Sequence, residues 1–247
     1  MQNIILLKNI ILLLGSLSTL RWHWLREYHG VLYTTKLTMD LLESTYPGRR
    51  AELKRSILRA ALHCFNSHGI EPTTIEMIRA ACDTSVGAIY HHFDNKEGLV
   101  AALFFAALQD QAALRQQYFA EAKTTRDGVN ALVFSYVDWV ANQPDWARFQ
   151  FNARFAVSNG PYKDELKQRN KLKTKQLLDW FAQPETGQEL ASFPRELLPS
   201  LVIGPSESYC RAWLSGRVKK SPKAYRELFA EAAWRSLEAG LPLRALA

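Results

Sequence analysis

The chain has 247 residues, 47% apolar and 22% charged, ordinary for a soluble globular protein and enough for a real core in one or two domains. Alternating β-branched runs are rare and Ala, Leu, Arg, Lys, Glu and Gln dominate, which argues against a β fold and for a mostly helical one. The net charge of +7 permits a polyanionic partner, and three distant cysteines, Cys64, Cys82 and Cys210, give neither a disulfide framework nor a zinc site.

The chain opens on an apolar run from Ile4 to Leu20. A signal peptide carries its charge before such a run and a small-residue cleavage site after it. Here Arg21, Arg26 and Lys36 follow, and "RWHWLREYHG" offers no good site. A membrane span needs about 20 apolar residues, reached only by including Lys8, Gly15 and two serines. A start at Met39 reads better, because "MDLLESTYPGRRAELKRSIL" is a polar leader running into a helix. Residues 1–38 are therefore expected to lie outside the fold. The alternatives are an export signal, or a membrane-tethered interaction protein anchored by residues 4–20.

From Glu52 the helical period is clear: Leu53, Ile57, Ala61, Cys64, Phe65 and His68 fall on one stripe, and Gly69 ends it. A second helix opens near Thr73, which has capping-box spacing to Glu76, and buries Ile75, Ile78 and Ala81 or Cys82. Asp83 stands where the following turn wants positive φ. Ser85 caps a short third helix with Val86, Ile89 and Phe93 on its apolar side. A much longer fourth helix starts after Asp94 and Asn95. Three short helices with a tight turn between the second and third make a helix-turn-helix pattern, expected over residues 48–96.

A recognition helix offers its N-terminal residues to base edges in the major groove. Gly87 costs helix stability there, up to about 1 kcal/mol relative to Ala, but with Ala88 it gives clearance for close approach. Tyr90 can direct its hydroxyl at a phosphate. His91 and His92 point to different sides, since adjacent helical residues are about 100° apart, and adjacent histidines on a helix are poorly placed to chelate one metal ion. Lys96 puts a charge beside the free N–H groups that open the fourth helix.

"SVGAIYHHFDNKEGL" resembles the TetR family of bacterial transcriptional regulators, with Gly69, Thr74, Ile78, Ala81, Ser85, Gly87, Ile89, Tyr90, His92, Phe93, Lys96 and Glu97 at the matching positions. The resemblance covers about residues 50–105. Arg79 and Asp83 depart from it, where a small residue and Gly are usual, which implies a different turn. The resemblance implies an all-α fold: a three-helix DNA-binding domain, then a larger helical ligand-binding and dimerisation domain over 97–241. It implies a cytoplasmic homodimeric repressor released from a palindrome by a small effector, with no cofactor. Its DNA-facing positions carry over to Thr73, Thr74, Ser85, Val86, Gly87, Ala88, Tyr90 and His91, with Lys96 on a phosphate. Ile57, Phe65, Ile78, Ile89 and Phe93 read as core. Residues 49–96 carry seven basic and five acidic groups, so binding would lean on a dimer doubling the contacts.

In the second region Asp127 can cap one helix and Pro144 can start the next. Pro199 and Pro205 should kink or split a later one, and Gly240 closes the last. "GPSESYCRAWLSGR" is weakly similar to the late helix on which the family dimerises. The dense aromatics suggest an effector pocket with Tyr136, Trp139, Trp146, Phe149 and Trp180 as candidate walls, suited to an apolar or flat aromatic ligand. Lys163, Lys167, Lys171 and Lys175 recur at i+4 and read best as a solvated face. No paired carboxylates, nucleophile elbow or phosphate-cradling loop point to an enzyme.

Overall fold

The computed structural model describes residues 41–183, 190, 193–194 and 196–238. Contacts divide the chain into Met1–Ser44 and Thr45–Ala247. Of the first unit only one turn of a short helix is described, where the Ser44 hydroxyl donates to the Leu41 carbonyl at 2.9 Å. The 1–38 extension, the anchor reading of residues 4–20, the Met39 start and Gly240 lie outside the described residues. Among those residues no helix is long and apolar enough to cross a membrane.

The second unit is built of helices. Its first three are α1 (Glu52–His68), α2 (Ile75–Ala81) and α3 (Val86–Phe93). Ile57, Leu58, Ala61 and Phe65 of α1, Ile78 of α2, and Ile89 and Phe93 of α3 are buried together as the small domain's core. Burial of each large side chain is worth about 1.5–3 kcal/mol. The α1 stripe is rotated from the expected one. Leu58 is buried in place of Leu53, which is 40% exposed, and His68 is exposed. Gly69 ends α1 at φ 88°, ψ 162°, a conformation open essentially to glycine alone.

Three local expectations are corrected. Thr74, not Thr73, caps α2, accepting from the Met77 N–H at 3.2 Å. Asp83 does not have positive φ. The α2–α3 turn instead runs through Cys82, which is extended at φ −136°, ψ 140°. Asp127 is the third residue of its helix rather than its cap: Thr124 caps, and the Asp127 carboxylate accepts from the Thr124 N–H at 3.0 Å. These reciprocal bonds hold the Asp127 carboxyl below its ordinary pKa.

The remaining helices are α4 (Lys96–Ala120), α5 (Thr125–Asn142), α6 (Pro144–Asn159), α7 (Lys163–Phe181), α8 (Leu198–Val202), α9 (Gly204–Leu214) and α10 (Arg226–Glu238). At 25 residues, α4 spans both regions, and its first half is buried nearly all round because helices pack on several sides of it. The prolines split the late segment as expected. Pro199 and Pro205 each sit in the first turn of a helix, where a missing N–H costs nothing. Helix α5 is tied to α4 and α10 through buried Asp138, which accepts from Tyr118 at 2.5 Å and from Arg226 at 2.6 Å. Burial and that carboxylate push the Tyr118 phenol well above its usual pKa.

Candidate nucleic-acid interface and effector cavity

Helix α3 sorts its residues cleanly. Ile89 and Phe93, four apart, face the core, while Gly87, Tyr90 and His91 are exposed on the other side. Ser85 caps the helix, its hydroxyl oxygen accepting from the Ala88 N–H at 3.1 Å. Thr74 does the same for α2, so each hydroxyl keeps its own hydrogen to donate outward. Val86 and Ala88 are half-buried.

Gly87 does not owe its missing side chain to anything inside the protein. A Cβ there would meet only the Ser85 Oγ, at 3.8 Å, and its backbone is outside the positive-φ region. A residue that weakens the helix and relieves no internal crowding leaves space for something outside.

Two of the candidate DNA contacts are placed differently. Thr73 is 1% exposed, and its hydroxyl donates toward the carbonyls of Gly69 at 2.6 Å and Cys64 at 3.3 Å. It belongs to the core, not to the outer face. Lys96 is half-buried, its ammonium donating to the carbonyls of Ile70 at 3.2 Å and Glu71 at 3.0 Å. It fastens the start of α4 to the α1–α2 loop, with one N–H left over. Lys96→Met should therefore destabilise the domain by about 1–3 kcal/mol, the scale of hydrogen bonds from a charged donor, visible as a lowered thermal midpoint; an unchanged midpoint would show these bonds to be idle.

His91 and His92 diverge as their spacing requires. Their rings lie edge to face at 5.3 Å, with His91 exposed and His92 half-buried. Burial, His91 and then Lys54 lower the His92 pKa. Among the described residues no three His, Cys, Asp or Glu side chains gather to hold a metal ion.

The larger region holds a partly open cavity of about 490 Å³ lined by residues of α4 to α10, within the size range of small-molecule sites. Of the five aromatic candidates only Tyr136 lines it. Trp139 is 2% exposed, its indole N–H donating to Asp110 at 2.8 Å, so it cements α4 to α5. Trp146 is core. Phe149 is buried against Phe65 of α1, ring centroids 5.8 Å apart. Trp180 backs the wall from outside: it meets Phe119 and Phe181 edge to face and lies so close to Gly128 that a Cβ there would be 2.2 Å from its ring.

The lining residues missed in the sequence include three cations, Arg115 of α4, Arg154 of α6 and Lys173 of α7. A signal existed. On α7, Leu166, Asn170, Lys173, Leu177 and Phe181 follow one another at three- and four-residue steps, so Lys173, though exposed like its neighbours on α7, stands in line with the apolar lining residues. The lysines singled out by their i+4 run are elsewhere: Lys163, Lys167 and Lys171 are exposed, and Lys175 pairs with Asp179 at 2.7 Å. Besides α4, a second helix joins cavity and reading head. Helix α6 turns Gln150 and Arg154 to the cavity, while its Phe149 stacks on Phe65 and its Asp145 carbonyl accepts from Asn66 at 2.9 Å.

Comparison with known proteins places this geometry. Residues 57–103 match the family described as bacterial regulatory proteins, tetR family. The HTH-type transcriptional repressor AcnR of Corynebacterium glutamicum is 40% identical over 63 residues, 26% of this chain and 32% of AcnR. The chain thus matches only about a third of that repressor's length. Among solved structures, a TetR family transcription regulator from Marinobacter aquaeolei superposes with a TM-score of 0.61 at 20% identity, covering 74% of this chain and 94% of that one. The regulator FadR from Bacillus subtilis, in complex with stearoyl-CoA, gives 0.60 at 15% identity, covering 73% and 97%. At such identities the structural likeness concerns the fold.

Proposed function

We propose that this chain, a member of the tetR family of bacterial regulatory proteins, is a cytoplasmic transcriptional repressor that binds a palindromic operator as a homodimer and leaves it when a small molecule occupies the cavity. The observation that carries the DNA half is exposed Gly87 beside Tyr90 and His91, with open space where its Cβ would be. The domain's small net charge gives a lone reading head little non-specific attraction, so doubling the head is the natural remedy. The late helices α9 and α10 are the proposed dimer face.

The release step follows from α6. A ligand that presses on Gln150 or Arg154 moves the helix that holds Phe65 and Asn66 of α1, and so re-aims α3. FadR, whose fold is similar, holds stearoyl-CoA, which supports a small-molecule role for this cavity.

Footprinting of the purified protein on the DNA upstream of its own gene tests the whole reading. Protection of two inverted half-sites, spaced by a helical turn or a multiple of it, is the expected result. No protected palindrome there or in a random-sequence selection would remove the assignment. Within a bound site, Tyr90→Phe should weaken binding about equally on all sequences, because phosphate contacts carry no base information. Substitutions at Val86 or His91 should change the preferred base by roughly 1–3 kcal/mol per contact. Selection experiments in which every Val86 and His91 variant kept the original preference would contradict this placement.

A further inference from the structure

We infer that the cavity takes an amphiphilic anion: a carboxylate or phosphate head held by Arg115, Arg154 and Lys173, with a hydrocarbon body in the apolar part beyond them. The inference rests on the effector reading above and supplies the ligand's chemistry.

The cavity is divided. Val129 and Leu132 near the start of α5, Phe181 at the end of α7, Val202 of α8 and Leu237 of α10 make an apolar part continuous with the buried core. Lys173 lies eight residues before Phe181 on α7, about 12 Å along the axis. Arg115 of α4 and Arg154 of α6 line the same cavity and are near enough to Lys173 for their charges to act on it.

None of these three cations forms an ion pair or hydrogen bond with another described residue. The one carboxylate among the lining residues, Glu207, is already bound to Arg211 at 2.7 Å. Beside them the Tyr136 hydroxyl and the Gln150 amide nitrogen are buried without a partner. Unpaired buried polar groups are costly unless something satisfies them, which applies to the Tyr136 hydroxyl and the Gln150 amide; of the cations Arg115 is half-buried and Arg154 and Lys173 are exposed at the cavity. Both buried groups can donate a hydrogen bond, the three side chains beside them are positive and unpaired, and guanidinium forks match carboxylate and phosphate oxygens two at a time. An apolar or cationic ligand would leave all of them unmet.

Lys173 reports the same field. Desolvation by the protein around it, then the charges of Arg115 and Arg154, pull its ammonium down to about 8, against a smaller upward pull from Glu207, although the residue keeps solvent exposure. The other titratable groups nearby are Tyr136 and Cys210, both pushed up by burial, so neither ionises near neutrality. A bound anion favours the charged ammonium and raises the pKa of Lys173. Affinity for an anion should therefore be fullest below pH 8 and fall as pH rises through it.

The test is calorimetric titration of the full chain with decanoate, decyl phosphate, 1-decanol and decyltrimethylammonium, each below its micellar range. At least one of the two anions should bind ten-fold or more tighter than the alcohol, the tighter one identifying the head group, and the cation should not bind. Lengthening the alkyl chain should tighten binding about four-fold per methylene until the cavity is full. Arg154→Gln and Lys173→Gln should bring the anion down to the affinity of the alcohol, and Lys173→Gln should flatten the pH dependence. Both should raise the thermal midpoint of the free protein by relieving repulsion, a shift in the direction a merely structural role would not give. Equal affinity for anion and alcohol, preference for the cation, or no binding of any probe would overturn the inference. An operator shift assay on the same preparation separates the two failures. Intact DNA binding without anion preference removes this inference alone; anion binding without DNA binding removes the regulator reading and leaves the site.

Discussion

A Gly87→Glu protein should melt at or slightly above the wild-type temperature and lose specific DNA binding. The stability half follows from the free surroundings of Gly87, where a new Cβ meets nothing closer than 3.8 Å. Replacing Gly in a helix recovers up to about 1 kcal/mol of propensity. A carboxylate in the first turn adds about 0.3–1 kcal/mol through the helix dipole. For a chain of this size that is a rise of about 2–4 °C per kcal/mol. The binding half has the opposite sign. The same side chain fills the space left between α3 and the groove and brings a negative charge toward phosphates. Reduction to non-specific affinity means a loss of about 10³-fold or more. Gly87→Ala separates the two causes: it should retain part of the affinity if charge repulsion dominates and little of it if lost clearance does. Wild-type operator affinity in the Glu variant, measured by gel shift beside a thermal melt, would show that α3 does not enter DNA through this face.

That contrast is possible because the small domain was largely legible. Periodicity placed Ile57, Phe65, Ile78, Ile89 and Phe93 inside, since short helices with one buried face obey the 3.6-residue rule. Its failures were ties that local rules could not break. Thr73 and Thr74 are adjacent and both can cap a helix. Thr73 is drawn instead to the Gly69 carbonyl, a bond that exists only once α1 has ended there. The turn before α3 likewise depends on tertiary placement: Cys82 is extended with its thiol donating to the Ile78 carbonyl at 3.1 Å, and Asp83 needs no left-handed backbone.

The cavity was less legible, for a different reason. Aromatic size marks a residue as valuable to bury and does not say against what. Trp139 and Phe149 were spent on joining helices, whereas a void is defined by what fails to fill it. The better signal was an inconsistency: Arg115 follows Phe104, Leu108 and Gln111 at helical steps, and Lys173 interrupts a leucine and phenylalanine stripe. A charge in phase with apolar residues is out of place in a packed core, and Arg115 and Lys173 both keep access to the cavity instead.

A second glycine should behave in the opposite way. Gly98 also sits in the first turn of a helix, and propensity alone says that Gly98→Ala should stabilise by up to about 1 kcal/mol. The surroundings decide otherwise. A Cβ at Gly98 would lie 2.0 Å from the Phe93 carbonyl oxygen, 3.1 Å from its carbon and 3.2 Å from the Tyr162 hydroxyl. That carbonyl is fixed: it accepts from the Asn95 N–H at 2.6 Å across Asp94, whose φ of 60° and ψ of −46° make a tight γ-turn. Asn95 in turn accepts from the Gly98 N–H at 2.7 Å, so the end of α3 and the start of α4 are drawn together on both sides of the missing side chain. Phe93 is core and cannot retreat without opening the domain. Relief requires prying α3 from α4, and we expect a net loss of about 3–5 kcal/mol, in the range of severe core disruption. At about 2–4 °C per kcal/mol the thermal midpoint should fall by about 6–20 °C. DNA binding should weaken with it because the disturbed junction carries the reading helix. A Gly98→Ala protein that melted at or above wild type would mean that α3 and α4 do not meet through this carbonyl.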